Sequence, residues 1–304
     1  MVNTTERAAG FDAWPELPLE AWRDTYETLH LWTQIVGKVR TALSPPVNHW
    51  WHSTLYVTPH GLTTSSIPYG QRAFEVSFDF IDHALLIQTS DGTRQELGLF
   101  PRSVAEFYHE FMGALRALGI TVTINTLPQE VANPIHCDQD DVHASYDAAF
   151  AQRWWRILLQ TNRILGEFRG RFIGKCSPVH FFWGSFDLAL TRFSGRRAPP
   201  RPGADAVTRE AYSHEVISCG FWPGGGQVPQ AAFYAYAAPA PPGLASVPIR
   251  PTAARYDQEA GEFFLPYADV RAAADPDGLL LDFLQSTYEA AATLARWDRA
   301  ALER

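Results

Sequence analysis

Apolar residues recur at spacings of three and four along residues 18–43, where Trp22, Tyr26, Leu29, Trp32, Val36 and Val39 form one stripe. That period predicts a long amphipathic helix. Ser44-Pro45-Pro46 ends it, because proline cannot continue the helical hydrogen-bond ladder. On the same helix His30, Gln34 and Lys38 fall at i, i+4 and i+8 and read as a polar outer face. Beyond it the period drops towards two, predicting strands at 50–59, 61–67, 74–79, 84–89 and 95–100, with an Asp91-Gly92 hairpin turn between the last two. Ser103 and Glu106 form a capping box for a helix running to Leu118. Residues 120–125 read as a strand, 127–147 as a loop, and 146–171 as a second long helix.

Residues 180–193 read as one strand covered on both faces. Phe182, Gly184, Phe186, Leu188 and Leu190 point one way, and His180, Phe181, Trp183, Ser185, Asp187 and Thr191 mostly the other. A buried Asp187 needs a partner, since an isolated carboxylate is costly away from water. After a proline-rich loop at 199–208, strands are expected at 212–222, 231–237 and 262–265, then helices at 269–274 and 278–296. The run Gly224-Gly225-Gly226 closes the first of these strands and lacks the helix that a phosphate cradle requires.

Residues 44–58, SPPVNHWWHSTLYVT, align with 177–191, SPVHFFWGSFDLALT, placing His49 on His180. The expectation is an α+β fold of two similar halves, each helix, antiparallel strands, helix, packed about a pseudo-twofold. Its parts are an N-terminal tail (1–18), a first half (19–126), an acidic connector (127–147) and a second half (148–304).

Composition narrows the function classes. The chain has 304 residues, 46% hydrophobic and 13% aromatic, which favours aromatic-lined cavities. A net charge of −8 with dispersed Lys and Arg argues against a nucleic-acid partner. Three cysteines without a CxxC pair suit a reducing compartment. No signal peptide and no apolar run of membrane-spanning length is evident, so a cytoplasmic location is expected, without membrane contact.

The candidate chemistry is a His/Asp/aromatic pocket between the halves, taking a small, partly apolar or aromatic molecule as ligand. His180, Asp187, His49, His214, Glu215 and Cys176 are the candidate catalytic residues, with Lys175 favouring a Cys176 thiolate and Ser177 bonding it. Trp50, Trp51, His52, Phe182, Trp183, Trp222 and Tyr234 are the candidate pocket lining. His49, His180 and His214 could also ligate a divalent transition metal, the one cofactor these residues suggest, or be core histidines bonded to carbonyls. The acidic run 136–143 matches no metal spacing and reads as a solvated connector. Acid/base or metal-assisted catalysis and non-catalytic binding in an aromatic cage both remain open.

The runs WPELPLEAWRDTYETLHLWTQIVGKVR, NHWWHSTLYVTPHGL, FDFIDH, FIGKCSPVHFFWGSFDLALTRFSGR, EAYSHEVISCGFWPGG and FLQSTYEAA resemble a bacterial domain-of-unknown-function family numbered 5996. The resemblance spans nearly the whole chain. It implies one full-length unit and carries no activity or site residue with it.

Overall fold

Helix α1 (Leu19–Leu43) opens the chain at the place its 3.6-residue period predicts, in a computed structural model that describes residues 12–225 and 228–304. The chain is an α+β fold with two antiparallel sheets. The first holds β1 (Tyr56–Val57), β2 (Gly61–Thr63), β3 (Ile67–Tyr69), β4 (Arg72–Asp79), β5 (Ala84–Thr89) and β6 (Arg94–Gly98), in the order β1-β2-β4-β5-β6 with β3 also on β4. Helix α2 (Val104–Ala117) follows, started by the predicted Ser103–Glu106 capping box, then α3 (Ala148–Gly170). The second holds β7 (His180–Phe182), β8 (Asp187–Arg197), β9 (His214–Trp222), β10 (Ala232–Ala238), β11 (Arg255–Asp257) and β12 (Glu262–Pro266), in the order β11-β12-β10-β9-β8-β7. Helices α4 (Ala206–Ala211), α5 (Tyr267–Ala272), α6 (Pro276–Leu294) and α7 (Arg299–Leu302) complete it.

An aromatic cluster ties α1 and α3 to the second sheet. Trp154 of α3 stacks on Phe186 at 4.6 Å and meets Phe181 edge-on at 5.5 Å and Trp22 of α1 at 6.4 Å. Trp32 of α1 stacks on Phe107 of α2 at 4.7 Å. Leu55, beside β1, bridges antiparallel to Phe181 of β7, so the edge of the first sheet meets the edge of the second.

Several expectations are corrected. The strand expected over 180–193 is a hairpin: it breaks at 183–186, where Phe186 adopts φ 61° and donates its N–H to Phe182 O at 2.8 Å. The buried, stacked Phe186 ring offsets that left-handed backbone, a conformation that costs ~1 kcal/mol or more in a non-glycine residue. Residues 48–53, overlapping the start of the strand expected over 50–59, form a 3-10 segment, with His49 and Trp50 at φ 60° and 61°. Residues 120–125 form no strand, and α4 replaces the end of the 199–208 loop. The aligned His49 and His180 stand in a 3-10 turn and a strand, so these positions give the internal repeat no support. Of the expected tail, 1–11 lie outside the described residues, as does Gly226, while Trp14 and Leu17 are in the core. The connector is not a solvated loop: Cys137 and Asp140 are fully buried, and Asp140 Oδ1 accepts the N–H groups of Val142 and His143.

Candidate active site

The polar stripe of α1 is turned inward, contrary to the outer face expected of it. Gln34 pairs with the Gln129 backbone in both directions at 2.8 and 2.9 Å. Lys38 Nζ donates to the carbonyls of Asn125 and Leu127, and His30 Nε2 bonds Gly184 O at 2.8 Å. These bonds satisfy buried polar groups that would otherwise be costly, and they fix 125–130 against the 183–186 turn. Glu130, exposed as a residue, thereby lays its carboxyl end against Gly184, where a Cβ would stand 3.0 Å from Glu130 Oε1.

The second sheet has two unlike faces, as alternation along its strands requires. Leu188, Leu190, Cys219, Phe221, Phe233, Phe263 and Leu265 join the main core. On the other face, register sets His180, Ala189, Gly220, Tyr234 and Phe264 side by side across β7, β8, β9, β10 and β12. Phe182 and Asp187 form the next pair along, and Thr191, Ser218 and Tyr236 a row on the opposite side. Gly220 is required here. A Cβ would meet Leu188 O at 2.1 Å and the Tyr234 hydroxyl at 2.7 Å. The glycine lets the Tyr234 ring lie across β9 and reach Asp187 on β8.

Asp187 is 8% exposed. Its Oδ1 accepts from Ser185 Oγ and its Oδ2 from Tyr234 Oη. Burial raises its pKa more than these two bonds lower it. Glu262, half-buried on the same face, is pushed up to about 7 by burial first and the Asp187 charge second. The Glu130 carboxyl is raised by the same two causes in the same order. Burial and then the Asp187 charge push the Tyr234 phenol far above its ordinary value. Tyr26 of α1 packs on Phe186 at 5.1 Å, its phenol raised to about 12, chiefly by burial. None of the three carboxylates has a Lys or Arg ion-pair partner among the described residues. Glu262 can therefore hold a proton near neutral pH, beside an Asp187 carboxyl whose charge is disfavoured.

At the β7 end His180 is 1% exposed, and neither ring nitrogen has a partner. Trp51, Tyr56 and Phe182 stand edge-on to it at 5.5–5.6 Å. Burial, then the charges of Arg40 and Arg169, lower its pKa to about 3, so it is a neutral imidazole.

The remaining candidates lie elsewhere or serve the fold. His49 Nδ1 bonds the carbonyls of Glu210 and Ala211 at 3.1 and 3.3 Å, while Lys175 Nζ donates to its Nε2 at 2.6 Å. His214 meets His49 edge-on at 5.8 Å, and Glu215 forms an ion pair with Arg196 at 2.7 Å. Among the described residues no group of three His, Cys, Asp or Glu side chains is arranged to hold a metal, and His49, His180 and His214 are no exception. Lys175 faces His49 rather than Cys176, and Ser177 Oγ accepts from Thr191 N instead of bonding the thiol. Burial pushes the Cys176 thiol up to about 11, the opposite of the expected thiolate. Of the expected lining, Phe182, Trp222 and Tyr234 border the acid group and Trp51 borders His180. Trp50 packs at a tilt against His52, whose Nδ1 accepts from Val47 N at 3.1 Å, and Trp183 Nε1 donates to Ser53 O, so these three brace the chain.

Sequence reasoning missed Glu262, Glu130, Tyr26, Tyr236, Tyr56 and Arg40. Two had a signal: Arg40 continues the buried series Trp32, Val36 at i+4, and Tyr236 shares a strand face with Tyr234. The others come together only through tertiary packing.

A family described as "Family of unknown function (DUF5996)" matches residues 14–304. No curated protein and no solved structure matches the chain.

Proposed function

The chain belongs to the DUF5996 family, a family of unknown function, and we propose that it is an enzyme acting by general acid–base chemistry on a small, partly apolar or aromatic molecule. One observation carries the reading. Two carboxyls on one sheet face, Asp187 and Glu262, interact electrostatically with each other and with Tyr234, have raised pKa values, and lack any cationic partner among the described residues. Structural carboxylates are ordinarily paired, whereas a proton-transfer group works best with a pKa near the working pH. Glu262, at about 7, meets that condition. In this reading Asp187, oriented by Ser185 and Tyr234, takes a proton from the substrate as its carboxylate, Glu262 in its protonated form gives the substrate a different proton, and exchange with water restores both groups. Phe182, Trp222 and Phe264 supply the apolar surface. Three free cysteines support a cytoplasmic setting, and no described helix is long and apolar enough to cross a membrane.

The test is incubation of a bacterial metabolite extract with purified protein, read by untargeted mass spectrometry. Wild type should deplete one small molecule and produce another. Asp187→Asn should abolish the change while remaining folded, and Tyr234→Phe should slow it. A metabolite retained but never converted would support the non-catalytic cage instead, and an extract that Asp187→Asn converts as fast as wild type would defeat the proposal.

A further inference from the structure

Three arginines are buried among the described residues, and two are accounted for. Arg192 lies over the rings of Phe168, Tyr288 and Phe172 at 3.5, 4.4 and 4.9 Å and donates to Phe168 O. Arg102 pairs with Glu110 and lies over Phe100 and Phe107. Arg40 differs. It is 6% exposed and, like Arg102, has two guanidinium nitrogens without an acceptor, here Nε and Nη1, but unlike Arg102 it has no carboxylate of the described residues within ion-pair distance and, unlike Arg192, no carbonyl partner. Its neighbour is Tyr56, with the guanidinium carbon 5.3 Å from the ring centre. The same ring stands edge-on, at 5.5 Å, to His180, whose nitrogens are also unpartnered.

A buried guanidinium without a counter-charge is strongly unfavourable, and so is a buried imidazole without a hydrogen bond. Their coincidence around one tyrosine marks a place built for something else. On the outer side of Tyr56 lies a cleft of about 380 Å³, walled also by Asn162, Arg169 and Pro178. Arg169 Nε is anchored on Ser177 O at 2.8 Å, which fixes a second cation at this cleft. β1, which carries Tyr56, is two residues long and its neighbour Leu55 is bonded to Phe181 in both directions, so access to Arg40 and His180 depends on rotation of the ring and not on movement of the strand.

We infer that Arg40, His180 and Arg169 form a binding site for the oxyanion of a small molecule, entered from this cleft when the Tyr56 ring swings aside. Arg40 offers the planar fork that matches a carboxylate or a phosphate, His180 one N–H, and Arg169 and Asn162 the mouth. The site does not rest on the acid–base reading and stands if that reading fails.

The test is titration of the whole protein with benzoate, inorganic phosphate and the uncharged benzamide, followed by Trp fluorescence and thermal denaturation. Wild type should bind benzoate, phosphate or both, and benzamide at least tenfold more weakly. Response to benzoate alone identifies a carboxylate site, and response to phosphate alone a phosphate site. Arg40→Met should lose at least tenfold in anion affinity while melting higher than wild type without ligand, because an uncompensated charge is removed. Arg40→Lys covers the case in which Met fails to fold, and should bind several-fold more weakly than wild type. Tyr56→Ala should bind more tightly. Absence of millimolar binding of either anion to wild type, or equal binding by Arg40→Met or, where that variant does not fold, by Arg40→Lys, would overturn the inference.

Discussion

Asp79 closes β4 in the first sheet and Asp187 opens β8 in the second, and the two are almost equally buried, at 7% and 8% exposed. Their surroundings differ in kind. Asp79 Oδ1 accepts the backbone N–H groups of Ile81 and Asp82 at 2.8 and 2.9 Å, and Oδ2 lies 3.2 Å from His60 Nδ1. It holds the 80–83 turn, which is a structural use of a carboxylate. Among the described residues Asp187 accepts from two side-chain hydroxyls, Ser185 and Tyr234, and has Glu262 and Glu130 rather than a cation for charged company. One carboxylate spares the backbone unpaired groups. The other is kept where its own charge is disfavoured, the pattern of a functional group maintained against stability.

The comparison can be broken or sharpened by substitution. The largest effect is expected from Gly220→Ala, since the new methyl would run into Leu188 O and the Tyr234 hydroxyl. It should cost ~3 kcal/mol in urea unfolding through overpacking, and should also separate Tyr234 from Asp187. Asp79→Ala leaves two turn N–H groups unpaired and should lose about 2 kcal/mol. Glu262→Gln should act in the opposite direction at pH 8. Between the unfolded value of 4.5 and about 7 the native state binds more protons than the unfolded chain, so wild-type stability falls as pH rises through that window. The substitution should remove that fall and leave the protein about 1–2 kcal/mol more stable at pH 8, the 1.4 kcal/mol per pKa unit being reduced by partial exposure. Least of all, Gly113→Ala in α2, where a Cβ meets nothing nearer than 3.8 Å, should add ~0.5–1 kcal/mol from helix propensity alone, without touching either carboxylate.

How far the site could be read in advance divides along the same line. Helices α1, α2 and α3 and strands β4 and β5 follow from period, cap and turn residues, because local physics decides them. Asp187 was legible as a buried carboxylate in an aromatic run and Tyr234 as a candidate pocket ring, but their pairing was not, because it depends on the register of β8, β9 and β10. Glu262 and Glu130 were not, since each is polar in a short segment and gains its meaning only from the register of β10 on β12 or from the clamp that Gln34 and Lys38 place on 125–129. The hairpin at 183–186 was hidden for a related reason. Phe186 adopts a backbone unfavourable to phenylalanine because Trp154, over thirty residues earlier, stacks on its ring. His49 misled in the other direction: aromatic neighbours in sequence gave it a pocket-like look, while Lys175 and two carbonyls occupy its nitrogens.

The most direct measurement is the unfolding free energy of wild type and Asp187→Asn from pH 4 to pH 8. Asp187 has a native pKa raised above its unfolded 3.8, so its contribution favours folding at low pH and is lost as pH rises through the native value. If the second sheet keeps this carboxylate for chemistry, wild-type stability declines across the range, and Asp187→Asn declines less and is the more stable protein at pH 8. An Asp187→Asn variant that is less stable than wild type at pH 8, with the same pH slope, would place Asp187 beside Asp79 as a structural residue and contradict the site.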